Sequence, residues 1–355
     1  MGAFMTTMRA AADGTVAGAR AATALRPTAG AGAGRSAGVA FGLLSAMCFG
    51  TSGTFGSALL AAGWSPGGAV LGRVAIAALA LTVPALLTLR GRWSLLRRSA
   101  SQMIAFGLIG VDGCQVCYFN AIARMDVGIA ILVEYTGIVL IVGWLWLRHG
   151  QRPRALTVGG VVAALGGLAL MLDLSGSVAI SFTGVLWASA AAVAVAVYFF
   201  QSADGSGGLP PLVLTWGGMV VGSVLLVLLG LTGLVPLRFA GGDVTLLGHP
   251  VSWVVPLLGL SLAAAAIAYV TGIEAARRLG AKLGSFVAMA EVLFAVAFAW
   301  ILLHQEPAAT QFLGGALILL GVIAVRLDEP DRSGSQGPKV TPPDVVPTTA
   351  SSSGP

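Results

Sequence analysis

Four ionisable side chains fall well inside long apolar runs: Arg73, Asp112, Glu134 and Glu291. A charge at the centre of a bilayer costs about 2.5–3.5 kcal/mol on the insertion scale. A chain with only 14 Asp and Glu does not place three acids there idly. An arginine can hold a carboxylate or pair with Asp112. Glu134 and Glu291 can hold an amino group or take up a proton as coupling ion. The plainer alternative is an internal salt bridge that fixes helix packing, with the remaining acid protonated. At a rise of 1.5 Å per residue, Arg73, Asp112 and Glu134 lie about 10–16 Å from their helix ends, and Glu291 about 13 Å. In an apolar core about 30 Å thick, that is close to the midplane.

Spans must exist to carry these groups, and the composition demands them. The 355 residues are 57% hydrophobic and 10% charged, with a mean hydropathy of +0.91, against about 25% charged in a soluble domain. This excludes a disordered chain, a disulfide-knit secreted domain and an ordinary soluble enzyme. Apolar runs predict ten helices at 37–62, 66–89, 101–122, 126–147, 155–173, 182–203, 210–233, 251–273, 282–303 and 308–327. Each approaches the 20 or so residues that a membrane helix needs. Residues 1–36 and 328–355 read as disordered cytoplasmic tails. The expected fold class is all-α, in the membrane, with the lipid bilayer as its first partner.

The net charge of +6 is a matter of topology. Ten spans put 17 of the 20 Lys and Arg on the side of the N-terminus. Arg124 and Arg238 alone lie on the other side, and Arg73 lies within a span. That asymmetry predicts both termini in the cytoplasm and a plasma (inner) membrane location. No basic stripe runs along a polar helix, so nucleic acid is not an expected partner.

The chain also repeats. A shift of 155 residues lays Gly159-Gly160 on Gly314-Gly315, Gly166 on Gly321 and His149 on His304. Each half, 37–173 and 182–327, holds five spans. An odd number makes the second half enter from the opposite face, so the repeats are inverted. Inverted repeats place a central site between halves and permit alternating access. The competing explanation is a duplication that merely enlarged the bundle.

The residues around the acids resemble a known family. Ala130–Val142 and Leu279–Pro307, with Ala290-Glu291 and His304-Gln305-Glu306-Pro307, resemble matching stretches of the two repeats of the drug/metabolite transporter superfamily, EamA-type. The fourth-helix stretch resembles that of the homoserine/threonine exporter group. Ile138 and Val292 stand where that family tends to have proline. Arg73, seven residues after Pro66, resembles its second-helix arginine. The resemblance implies export of small metabolites, often amino acids, from the cytoplasm.

Gln115, Asn120, Tyr135, Tyr198, Trp216 and Tyr269 lie at similar depth and are the expected cavity lining. Trp144, Trp146 and Trp300 suit interfacial belts or the lipid face. Cys48, Cys114 and Cys117 are all intramembrane, and Cys114-x-x-Cys117 reads as small buried hydrophobes rather than a redox or metal pair. No residue set calls for a metal or a cofactor. An enzyme would need a nucleophile with its base, and no H-E-x-x-H, G-x-S-x-G or Walker A sequence is present. A channel or facilitated-diffusion pore is the alternative to a gradient-driven carrier, and an intramembrane enzyme the second. Small-residue helix faces serve a dimer as readily as the bundle, so the oligomeric state stays open.

Overall fold

A computed structural model describes residues 29–125, 127–172, 181–303 and 308–328. Of the expected tails, 1–36 and 328–355, residues 1–28 and 329–355 lie outside the described residues, as do His304, Gln305, Glu306 and Pro307. Gly32–Glu329 form one unit.

The first half opens with α1 (Ala29–Gly50) and α2 (Ser52–Ala61). They are one apolar run interrupted at Thr51, whose hydroxyl donates to Cys48 O at 2.7 Å. α3 (Pro66–Thr88) starts on a well-made cap. Ser65 Oγ accepts from Gly68 N at 3.1 Å, and Pro66 sits where a missing N–H costs nothing. After α4 (Ser94–Arg98), α5 (Ala100–Ala105) passes through a π-helical stretch, Phe106–Gly113, into α6 (Cys114–Ile122). α7 (Val127–Tyr135), α8 (Gly137–His149) and α9 (Ala155–Met171) complete the half.

The second half holds α10 (Phe182–Ala203), α11 (Pro211–Leu231), β1 (Asp243–Leu246), β2 (His249–Ser252) and α12 (Val254–Leu258). A second π-helical stretch, Gly259–Ile267, leads into α13 (Ala268–Ala288), α14 (Ala290–Leu303) and α15 (Ala309–Asp328). Among the described residues, eight helices are long and apolar enough to cross a membrane, and α9 is a shorter apolar helix.

Their outward faces are greasy. Leu79, Leu147 and Leu231 are 73%, 83% and 80% exposed, which water would penalise and lipid does not. Trp144, Trp146 and Trp300 are also exposed. The fold is that of a multi-pass membrane protein.

Several boundaries differ from expectation. The first helix already includes residues 29–36, which the sequence assigns to the tail. Asp328, expected in the tail, ends α15 instead and is buried. Lys282 Nζ lies 3.6 Å from its carboxylate and donates to Thr157 Oγ1 at 2.8 Å, while Arg154 stands 4.0 Å away. The segment expected at 251–273 runs on to Ala288, divided at Gly280, whose φ of 81° is non-helical, and so takes in the start of the segment expected at 282–303, the rest of which is α14.

A hairpin occupies what reads as a polar loop. Val244 faces Val251 across β1 and β2. The residues before it grip the start of α3: Arg238 N donates to Ser65 Oγ at 2.9 Å, and Trp64 Nε1 donates to Ala240 O at 2.7 Å.

α9 and α15 pack backbone to backbone. A Cβ on Gly314 would stand 2.5 Å from Gly167 O, and one on Gly321 2.6 Å from Gly160 O. Bare backbones at this distance are how membrane helices without a hydrophobic drive pack tightly. Gly159 and Gly166, one residue away on each turn, face nothing.

Candidate functional site

The helices lose regularity where they meet in the middle of the bundle. Thr136 separates α7 from α8, with Thr136 N donating to Val133 O at 3.1 Å and its hydroxyl to the same oxygen at 2.6 Å. Met289 separates α13 from α14 in the same tight manner, its N–H donating to Phe286 O at 3.1 Å. Neither break needs the proline that Ile138 and Val292 replace. At the first, a Cβ on Gly137 would stand 2.5 Å from Ala192 O, so α10 presses on the bare turn. Irregular backbone at membrane depth is tolerated where it borders protein or a cavity.

A cavity of ≈ 90 Å³ opens at these breaks. That is room for several waters. Glu134, two residues before the Thr136 break, and Glu291, two after Met289, both line it. Cys114 Sγ donates to Glu134 Oε1 at 3.6 Å. Tyr135 Oη donates to Glu291 Oε2 at 3.0 Å and lies 3.1 Å from Ala288 O. Thus α7 of the first half holds the acid of the second. Five further aromatic residues line it, Phe49, Tyr118, Tyr198, Phe199 and Tyr269. Among the described residues, no Lys, Arg or His lines it.

The cation stands one layer behind. Arg73 is 0% exposed. Its Nη1 donates to Ser52 Oγ at 2.9 Å and to Gln115 Oε1 at 2.6 Å, and its Nη2 to Ala264 O. The Phe49 ring centroid is 5.9 Å from its guanidinium carbon. Ser52 and Gln115 themselves line the cavity. Gln115 Nε2 continues the chain to Tyr269 Oη at 3.1 Å, and Tyr269 Oη lies 3.4 Å from Gly110 O. Because Ala264 belongs to the second π-helical stretch, the arginine joins both halves. A π-helix leaves carbonyls out of the regular ladder, and Ala264 O accepts from Arg73 there.

The EamA-like transporter family pattern matches residues 36–173 and again residues 182–327. The chain belongs to the EamA-like transporter family. No curated protein matches it. A solved structure titled "Crystal structure of protein" is similar at 22% identity and a TM-score of 0.66. The match covers 82% of this chain and 98% of that one, and it supports the fold alone.

In this EamA-like chain the expected residues separate into two sets. Glu134, Glu291, Gln115, Tyr135, Tyr198 and Tyr269 come together around the cavity, with Arg73 bonded to its wall. Asp112, Asn120 and Trp216 do not. Asp112 lies against Gly222 of α11 and makes no bond to Arg73. Asn120 accepts from Arg124 Nη1 at 2.8 Å near the helix end. Trp216 Nε1 donates to Thr82 Oγ1 at 3.1 Å, between α11 and α3.

Sequence reasoning missed Phe49, Ser52, Cys114 and Tyr118. The first helix reads as a plain apolar run, so Phe49 and Ser52 carry no signal. Cys114 and Tyr118, four apart on α6, share a face with Gln115, and helical spacing from that glutamine could have found them.

Proposed function

We propose that this protein is a secondary-active carrier of the plasma (inner) membrane that exports amino acids or similar small metabolites by alternating access. Ten spanning helices arranged as two inverted halves, with both termini cytoplasmic, fit the 17-to-2 charge asymmetry and the break at Gly280 that divides the longest apolar run. The observation that carries the reading is the pair of carboxyl groups, Glu134 and Glu291. Each half contributes one, each at a helix break, to one aromatic cavity. Two acids with no lining cation favour the amino end of a substrate. Gln115 and Ser52, polarised by Arg73 behind them, offer hydrogen bonds to its polar remainder. Export over import rests on the resemblance of the Glu134 stretch to the exporter group.

The test is uptake into inverted membrane vesicles of a panel of labelled amino acids and small amines, with and without an imposed proton gradient. Saturable uptake that both E134Q and E291Q impair is expected. Full activity in both variants would overturn the assigned site. A conductance without saturation would favour a pore.

A further inference from the structure

Asp112 is the buried acid that the cavity does not use. It is 3% exposed, and among the described residues neither carboxyl oxygen has a hydrogen-bond partner. It projects from the last turn of the first π-helical stretch onto α11, at a point where only glycine leaves it space. A Cβ on Gly222 would overlap its oxygens. An ionised carboxylate cannot rest unpaired in apolar surroundings. The groups that face this stretch supply no counter-charge. α11 carries no titratable residue. Tyr198 is the titratable residue of α10, Cys114, Cys117 and Tyr118 are those of α6, and Tyr269 reaches the stretch through Gly110 O. Arg73, the cation on α3, is committed to Ser52, Gln115 and Ala264.

We propose that Asp112 is a proton-binding site, separate from the substrate cavity, that couples transport to the proton gradient; this rests on the carrier reading. In the packed arrangement described, Asp112 holds its proton as a neutral carboxylic acid. When α11 draws back, water reaches the carboxyl and the proton passes to it, leaving a carboxylate. That carboxylate must be reprotonated before Gly222 can close on it again. The link to substrate is short. Gln115, three residues on, holds Arg73 and Tyr269 at the cavity wall, so a turn of the π-helical stretch moves both. Proton and substrate thus act at different places on one helix, and Glu134 and Glu291 are left free to bind.

The test uses the full chain in proteoliposomes, with a mixture of labelled amino acids and small amines outside. Two modes are read: exchange without a gradient, and accumulation under a gradient of about one pH unit, which drives about tenfold accumulation at one proton per substrate. D112N, which mimics the protonated form, is expected to keep exchange and lose gradient-driven accumulation. Infrared spectra at neutral pH should show a protonated-carboxyl C=O band that D112N lacks and that E134Q and E291Q retain. Wild-type accumulation in D112N, or persistence of that band, overturns the proposal. If D112N does not fold, G222S, which displaces the carboxyl from its place, carries the same accumulation test. Absence of exchange and accumulation in the wild type would overturn the carrier reading itself, a result distinct from failure of Asp112 alone.

Discussion

Gln115 Nε2 donates to Tyr269 Oη, and the two residues stand 154 apart in the chain. The same separation relates Gly160 to Gly314 and Gly167 to Gly321, and these four touch crosswise, 160 with 321 and 167 with 314. Exchanging the halves therefore maps the α9–α15 contact onto itself and the Gln115–Tyr269 bond onto itself. The two π-helical stretches and the breaks at Thr136 and Met289 fall within one residue of the same separation. The two family repeats account for all of these at once. Arg73 has no charged counterpart: α3 and α11 both begin with proline, and Gly218 stands seven residues after Pro211, as Arg73 does after Pro66.

Gln115 is central to that arrangement, and its loss should be felt in stability. Q115L removes an acceptor from a buried guanidinium and is expected to cost about 1.5–3 kcal/mol. Y269F removes a neutral bond and should cost about 0.5–1.5 kcal/mol. Thermal unfolding in detergent checks both. If the double variant loses the full sum of the two, the residues are not coupled.

The crossed glycines yield a contrast within one helix pair. G314A forces a methyl against Gly167 O and should destabilise by about 1–3 kcal/mol. G159A and G166A, with open space beside them, should stay within about 0.5 kcal/mol. The melting temperatures of the three variants decide it.

E134Q and E291Q should leave the fold intact and reduce transport of amine-bearing substrates by about ten- to hundredfold, the loss of a charge-assisted bond in rate terms. Y135F should act in the same direction but less, since it frees Glu291 without neutralising it. Initial uptake rates at matched protein levels are the measure. Equal loss with substrates that lack an amino group would contradict the assignment.

Ser65 caps α3 and also binds the segment before the hairpin, donating to Pro236 O at 2.6 Å while accepting from Arg238 N. S65A should cost about 1–2 kcal/mol. It should also expose the segment around Arg238 to protease, seen as faster nicking in right-side-out vesicles. Unchanged cleavage would mean that the bonds from Trp64 Nε1 to Ala240 O and from residue 65 N to Arg238 O, with the aromatic contacts, suffice to hold the segment. Trp64 packs on Phe239 at 5.2 Å and Trp253 at 5.7 Å between ring centroids.

The spans were legible because lipid tolerates only long apolar helices, and the acids because their cost in lipid makes them conspicuous. What the sequence concealed was direction around each helix. Counting residues gives depth along an axis. The side on which a residue emerges depends on the turn, and a π-helical stretch changes that turn. Asp112 thus reaches α11, while Gln115, three residues later, reaches the cavity. Trp216 faces α3 rather than the cavity, and Asn120 falls near the end of α6. The breaks at Thr136 and Met289 were obscure because no proline marks them. At Thr136 a hydroxyl folded back on the main chain marks the turn, and a bare Gly137 beside α10 accompanies it. The glycine repeat was visible one residue out of register, because adjacent Gly-Gly pairs offer two alignments and only packing selects between them.

The contact between α9 and α15 has one more consequence. Here, as where Gly137 meets Ala192 O, main chain lies on main chain with no side chain between to yield. Such a joint can pivot, but it cannot be compressed or pried apart by degrees. With no rotamer to change, any side chain added at Gly167 or Gly314 must move a whole helix.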